Sequence, residues 1–535
     1  MSSPSTRTPI LSRRERATLY LGTRSNLLFA VLLLIVIVVH ATVFFVGMVT
    51  SPLGFDEAFI IQAPLNLVQG HGYSTENYAS GGPKVLFDAI VSTGPTVGLP
   101  VAVSFLLFGT SIEAARIVML PFLVLLLASL FVIGRRIGGR WAGLAAMAAV
   151  LALNTRVDWP STVLYGPSDA IGEFAAAALL AFALALMPRL RGWVGIIVGL
   201  AALTKFIAFM AVPVFVIALL LVPRRGARWW TRIGEVVLFG ALAVLPSALW
   251  ELVKLITLGL TDYKANLRSY YSFVLHSGSG AVDSLRGSPG ERASWLFTPW
   301  YIPDWLAIAF ALVLVVCAAL GVWLYVRRAA EAADAAGEKP GGLGRVRRGI
   351  RSIPIEIWAT AGVLVLFSYW WIAMSSSFFV RHTMPFLIAL VPVLVAVAVR
   401  GMIWLHGRGG LVRAVSVVLV GGLAVTIGVQ ATQTTAASFR AEAWTRAQQV
   451  EAADFVRSLG VDEVQGIDWW AAPDVRFLSH VPSTPLGSGD GPLVLEPIMK
   501  LLTPAAYEEA LGYCTHVLYD RDGFIVCDAV YPPQE

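Results

Sequence analysis

Asp56 and Glu57 stand side by side just after a long apolar run, in Ser51-Pro52-Leu53-Gly54-Phe55-Asp56-Glu57-Ala58-Phe59. A carboxylate at such a boundary can take the proton of a hydroxyl or hold a divalent cation. The following residues, Asp56 to Val68, read as a short interfacial helix whose first turn offers the acids the positive end of its dipole. A capping acid on a solvated surface is the competing reading. Two cations occupy equally unusual places. Lys205 interrupts apolar sequence in Leu203-Thr204-Lys205-Phe206, and Arg381 opens an apolar helix in Phe379-Val380-Arg381-His382-Thr383-Met384-Pro385. A cation at bilayer depth is costly and wants an anionic partner; snorkelling to the interface is the alternative. His382 has a structural hydrogen-bonding role as its first reading. Asp169 and Glu173, one helical turn apart, put two carboxylates on one face, suited to ligand hydroxyls, a cation or a helix cap.

The elements that must position these residues are set by composition. The chain has 535 residues, 57% hydrophobic and 14% charged, with a mean hydropathy of +0.72. Soluble domains carry roughly a quarter charged residues, so an ordinary soluble enzyme, a disordered chain and a fibrous protein are all excluded. Runs such as Leu27 to Val49 exceed the ~20 apolar residues that cross a hydrocarbon core. The net charge of +6 follows from arginines gathered in loops on one side of the membrane rather than from a nucleic-acid surface.

Those arginines set the threading. Arg13, Arg14, Arg16 and Arg24 hold residues 1–26 in the cytoplasm, so the first helix, 27–49, leads outward. Residues 95–109 are apolar but short. Letting them lie in the interface or re-enter keeps Arg135, Arg136 and Arg140 inside. Spans at 113–133, 141–153, 168–187, 192–204, 206–222, 233–258, 303–326, 354–374, 384–403 and 411–430 then complete about eleven crossings. The expected architecture is an all-α polytopic membrane domain over 27–432. It has a first outer loop at 50–112, a second at 260–303, and a small extracytoplasmic α/β domain at 433–535. In that tail Trp444, Ala447, Phe455, Val456 and Leu459 recur at helical spacing and stop at Gly460. Arg521-Asp522-Gly523 reads as a hairpin turn. A Cys514–Cys527 disulfide is allowed outside the membrane, but a two-residue turn places Leu518, not Cys514, opposite Cys527. Lys264, Arg268, Tyr270, Tyr271 and His276 populate the second outer loop, where they can close over a head group or simply face solvent. Trp469-Trp470 in the tail can stack on a ligand or fill a core.

Several segments in order, namely the acid pair, Gly81-Gly82-Pro83-Lys84, Ser92-Thr93-Gly94-Pro95, Leu107-Phe108-Gly109, Ala114-Ala115-Arg116, Thr204-Lys205 and Arg381-His382, together resemble the GT-C superfamily of polyprenyl-phosphate-sugar-dependent glycosyltransferases. The likeness is to the branch with the aminoarabinose lipid A transferases and protein O-mannosyltransferases, and it covers roughly 27–403. It implies an inverting transfer with Asp56 as general base and Glu57 assisting or ligating a cation. Lys205, Arg381, His382 and Lys84 would hold the donor phosphate, and Asp169, Glu173, Arg268, Tyr270 and His276 would line the substrate. Two departures stand out: Gly94 replaces the lysine that relatives carry before the loop proline, and Phe206 replaces the glycine after the mid-chain lysine.

The resemblance implies a polyprenyl-phosphate-linked sugar as donor and an envelope glycan, glycolipid or protein as acceptor, in contact with membrane lipid and with no nucleic acid. The resemblance fixes no cofactor; a divalent cation on Asp56 and Glu57 stays open. High Ala, Val and Arg with little Lys suggest a GC-rich bacterial genome, and with it a bacterial plasma membrane as the site and a pentose or mannose as the donor sugar. A lipid-linked-sugar flippase and a catalytically inactive scaffold are the rival readings; the lack of internal repeats stands against the flippase.

Overall fold

The structure is a computed structural model describing residues 13–76, 84–89, 91, 93–153, 172–222, 228–276, 288–297, 300, 302–335, 348–374, 380–437, 445–467, 472–502 and 504–530. Asp169 and Trp469-Trp470 lie outside the described residues. Among the described residues, eight helices are long and apolar enough to cross a membrane: Ser25–Thr50, Ile112–Gly138, Glu173–Thr204, Trp229–Phe273, Asp304–Ala335, Ile355–Met374, Pro385–His406 and Gly410–Gln433, with shorter apolar ones at Pro95–Phe108, Arg140–Ala152 and Phe206–Leu221. Glu173–Thr204 takes in two of the expected spans, so each of the expected crossings has a helical counterpart.

In chain order the helices used below are α1 (Arg13–Thr50), α2 (Phe55–Val68), α3 (Pro95–Phe108), α4 (Ile112–Arg116), α5 (Met119–Gly138), α6 (Arg140–Ala152), α7 (Glu173–Leu190), α8 (Gly195–Thr204), α9 (Ala211–Leu221) and α10 (Trp229–His276). They continue with α11 (Pro289–Ser294), α12 (Asp304–Ala335), α13 (Ile355–Tyr369), α14 (Met384–His406) and α15 (Gly410–Ala437). Burial sorts them. The windows of α7–α8 and of α14 are each 72% buried, whereas those of α1 and α10 are 17% and that of α15 is 11%. Central α7 is rich in fully buried alanine (Ala175–Ala178, Ala181, Ala183), and small side chains let neighbouring backbones approach closely. The peripheral helices present Leu27, Leu34, Ile256, Leu411 and Val418 outward. So much continuous apolar surface is stable against hydrocarbon, not water.

Side-chain bridges divide the bundle into two ends. At one end Arg140 meets Ser25 and Asn26, Arg136 donates to Ala185 O, and Arg400 and Tyr325 both donate to Ile137 O. There too Arg191 holds Glu235 at 2.7 Å and donates to Leu219 O and Val222 O, so α8 and α9 form a hairpin whose tip, at the other end, is Lys205. That other end also holds the start of α2. Helix α3 begins with Gly94 N–H donating to Thr204 O at the hairpin tip and finishes with Ser104 donating to Ala114 O. Both of its ends therefore sit at the same end of the bundle, and its 14 residues lie across it rather than through it.

The segment expected as the second outer loop, 260–303, begins as helix. Helix α10 carries on past a kink at Gly259, whose φ is +72°, to His276. A glycine tolerates that left-handed backbone, and a more polar helix carrying Asp262, Lys264 and Arg268 follows it.

The tail is an α/β domain. Its five-stranded mixed sheet has the order β4-β3-β5-β7-β6, built from β3 (Val464–Gly466), β4 (Ser483–Pro485), β5 (Leu493–Leu495), β6 (Cys514–Arg521) and β7 (Phe524–Ala529). A two-stranded ribbon, β1 (Ser74–Thr75) with β2 (Val85–Leu86), lies in the first loop. Helices α16 (Arg446–Ser458) and α17 (Pro473–Ser479) complete what is needed here. The hairpin turn has positive φ at Asp522 and Gly523, as a type I′ turn requires. Cys514 and Cys527 are bonded, Cα–Cα 5.6 Å, against the expected register. Two register shifts in β6, at Val517/Tyr519 and Cys514/His516, bend the strand as bulges do and change which residues face one another.

Candidate active site

The linker between α1 and α2 precedes Asp56 and is held at every backbone group. Ser51 N–H donates to Gly47 O. Arg116 donates to Ser51 O at 2.8 Å and Pro52 O at 2.7 Å. Leu53 N–H donates to Gln449 Oε1 at 2.8 Å, and Gln449 Nε2 donates back to Leu53 O at 2.9 Å. Gly54 N–H points to Glu57 Oε2, and Gly54 O accepts from Ala58 N–H. Pro52 and Leu53 are buried, where an unpaired backbone group would be costly. Asp56 sits in the first turn of α2, partly exposed.

Glu57 faces inward and is 3% exposed. Arg116 Nε and one terminal nitrogen each lie 2.8 Å from a different Glu57 oxygen, a fork-to-fork pair of the strong kind. Arg116 is itself fully buried and also caps the last carbonyls of α1, Met48 O at 3.2 Å among them. Both Glu57 oxygens are thereby engaged, and among the described residues no group of three or more His, Cys, Asp or Glu is arranged to hold a metal. Glu57 thus gives both oxygens to Arg116 rather than to the divalent cation that the sequence leaves open on Asp56 and Glu57.

A second cluster forms at the α8–α9 tip. Lys205 Nζ lies 3.2 Å from Glu173 Oε1, with Lys205 8% and Glu173 0% exposed. Lys205 adopts an extended backbone (φ −146°, ψ 116°) between α8 and the 3₁₀ turn Phe206–Met210, and Thr93 bridges to it as an antiparallel strand pair. The approach is so close that a Cβ on Gly94 would fall 1.7 Å from Leu203 O. This explains the first departure noted in the sequence: no side chain, lysine included, fits there. Phe206 meets Tyr270 edge-on at 6.2 Å, while Lys254 Nζ lies 5.5 Å from the Tyr270 ring. Lys254 is a buried cation, paired with Glu251 at 2.7 Å.

The remaining expected residues are dispersed. Lys84 pairs with Glu76, which Arg476 of the tail also holds, in a bridge between the first loop and the tail. Arg268 is exposed. His382 is half-buried in the short turn Val380–Thr383; the side chains of Arg381 and His276 lie outside the described residues. Helix α3 links the two clusters. Its first turn lies at Lys205, and its last turn sets Phe105 at a tilt against Phe477 of the tail, ring centroids 6.1 Å apart.

In the sequence Arg116 has a place in a motif but no assigned role, and Gln449, Asp474 and Glu496 are not singled out. Arg116 carried a usable signal, since a cation heading an apolar span wants an acid. Gln449 and the tail acids carried none. Asp474 accepts from Gln449 Nε2 and lies beside Glu496, which is 2% exposed. Burial first, then the charge and hydrogen bond of Asp474, hold the Glu496 carboxyl well above the usual carboxylate range.

A family model described as dolichyl-phosphate-mannose-protein mannosyltransferase matches residues 92–250. No curated protein matches the chain by sequence. Among solved structures, ArnT from Cupriavidus metallidurans bound to undecaprenyl phosphate is similar at a TM-score of 0.53 and 15% identity, covering 94% of this chain and 98% of that one. Archaeal oligosaccharyltransferase AglB from Archaeoglobus fulgidus, in complex with an inhibitory peptide and a dolichol-phosphate, is similar at 0.53 and 13% identity, covering 94% and 74%. At such identities the likeness is one of fold, and the resemblance to GT-C glycosyltransferases stands on that fold together with the family match.

Proposed function

We propose that this chain is an integral-membrane, inverting glycosyltransferase that moves a monosaccharide from a polyprenyl-phosphate donor to an acceptor hydroxyl at the cell envelope. The observation that carries the reading is Asp56 in the first turn of α2, preceded by a linker with no loose backbone group. An acid placed this firmly is suited to meet one proton at one position. The acceptor oxygen forms its bond to the anomeric carbon as the bond from that carbon to the phosphate oxygen breaks. The acceptor proton passes to Asp56, and the polyprenyl phosphate leaves with the bonding electrons. Attack opposite the leaving phosphate inverts the sugar. Glu57 acts in this scheme as a positioning residue through Arg116.

Lys205 is the cation we assign to the phosphate, stabilising charge that grows on the leaving oxygen, with Arg381 beside it in the assignment. In the free protein Glu173 neutralises Lys205. Undecaprenyl phosphate and dolichol-phosphate in the two similar structures support the donor class. In this reading the tail and the Asp56 end face outward from a bacterial plasma membrane; the arginines gathered at the opposite end and the Cys514–Cys527 bond, of a kind formed in oxidising compartments, support it.

The test is Asp56→Asn protein in native membranes supplied with polyprenyl-phosphate-linked pentose and mannose donors. Released polyprenyl phosphate should fall by about 10²–10⁴-fold, the usual contribution of a general base. Turnover near that of the unaltered protein removes the assignment.

A further inference from the structure

We infer that Gln449, in the C-terminal domain, is a positioning residue for Asp56, so that this domain is a working part of the active site and not an appended module. The inference rests on Asp56 acting as the base. Gln449 is fully buried and lies 396 residues further along the chain than Leu53, yet its amide answers both backbone groups of that residue. Among the described residues no other side chain bonds Leu53. Only Gly54 and Phe55 then separate this clamp from Asp56.

The amide cannot turn over, because Asp474 accepts from the same nitrogen that donates to Leu53 O. A flipped amide would set its oxygen against the Asp474 carboxylate and against the Leu53 carbonyl, two acceptors facing an acceptor. The orientation that clamps Leu53 is thus selected inside the tail domain. Arg116 fixes the first half of the linker from within the bundle and Gln449 fixes the second half from outside it. Helix α16, which carries Gln449, is tied down next to the clamp by Arg446, which donates to Val49 O at 3.1 Å and pairs with Glu113. Displacement of a reacting group by about 1 Å can slow an enzyme on the order of 100-fold, so the clamp bears directly on turnover.

The experiment is a double-mutant cycle of Gln449→Met, which keeps the side chain's length, with Asp56→Asn, assayed in the full-length protein by release of polyprenyl phosphate from the same donors. We expect Gln449→Met to lower kcat by about 10- to 100-fold with the donor KM within about threefold, and Asp56→Asn/Gln449→Met to be no slower than Asp56→Asn alone, because a base already removed cannot be misplaced. A Gln449→Met kcat within twofold of the unaltered protein, with Asp56→Asn inactive, overturns the inference and leaves the base assignment standing. Losses that multiply in the double variant overturn it as well, marking general damage instead. An active Asp56→Asn protein sinks the base itself and this inference with it. If Gln449→Met does not fold, Gln449→Glu carries the same cycle; it can still accept from Leu53 N–H but cannot donate to Leu53 O. Arg476→Gln, at the tail interface but away from Leu53, should keep at least half of the activity.

Discussion

Arg116 holds both oxygens of Glu57 at 2.8 Å and, with its remaining donors, the carbonyls that end α1 and begin the linker to Asp56. One buried guanidinium therefore joins three elements, α1, α2 and α4. The pair is fully shielded from water, so the loss of either partner leaves an uncompensated buried charge.

Arg116→Ala should destabilise the protein by about 3–5 kcal/mol, the range for breaking a buried ion pair from one side. Arg116→Lys should rescue little, since an ammonium cannot reproduce the fork or reach the same carbonyls. Thermal unfolding in detergent checks both. An Arg116→Lys midpoint within a degree of the unaltered protein would contradict this account.

Gly94→Ala forces a methyl into Leu203 O, where a Cβ would stand 1.7 Å away. Backbone must move on one side or the other. The cost is about 1–3 kcal/mol or more by the overpacking rule. Gly94→Lys, which installs the residue that relatives carry, should be worse still and should not tighten donor binding. Melting and undecaprenyl phosphate binding measured together decide it.

Lys205 and Glu173 can be separated as partners and as a site. Lys205→Met should raise the donor KM by roughly tenfold or more if the ammonium meets phosphate, since a charge-assisted hydrogen bond is worth about 1.5–3 kcal/mol. Glu173→Gln/Lys205→Met removes the buried charges together. Its stability should return toward that of the unaltered protein while the KM defect stays. Recovery of KM in the double variant would make the pair structural only.

Glu496 gives the tail a pH dependence of defined sign. Its carboxyl titrates higher folded than unfolded, because of burial and then Asp474. Below the unfolded value near 4.3 its contribution is fully present, and it is lost as pH rises toward the raised folded value. Tail stability should accordingly fall as pH rises above about 4.3. Glu496→Gln, neutral throughout, should flatten that fall. Unfolding midpoints from pH 4 to 8 test it; an unchanged slope in the variant refutes the assignment.

The membrane architecture was legible in the residues themselves. Apolar length marks spans, and the arginines at Arg135, Arg136, Arg140, Arg191 and Arg400 mark one end of the bundle, because hydrocarbon thickness and charge bias act on each segment separately. The same local logic found 95–109 too short to span, Asp56 at a helix start, and Lys205 at a turn between apolar runs. The helix from Leu260 to His276 within the expected second loop left no mark, because the kink at Gly259 looks like a helix end when helix in fact resumes. The disulfide was misjudged because bulges in β6 leave no mark in the turn residues that set a hairpin's register.

What only the tertiary structure decided is partnership. Glu57 and Asp56 are adjacent and chemically alike in the sequence, yet one is buried on Arg116 and the other left partly open. The choice was made by α4 packing against the end of α1. Lys205 has Glu173 because the α8–α9 hairpin returns its tip to the start of α7. Gln449 reaches Leu53 only once a domain of nearly a hundred residues has folded over the bundle. Span and sidedness depend on neighbours along the chain, whereas an ion pair or a clamp depends on which surfaces meet. That is fixed by the packing of the whole, and no local pattern of residues encodes it.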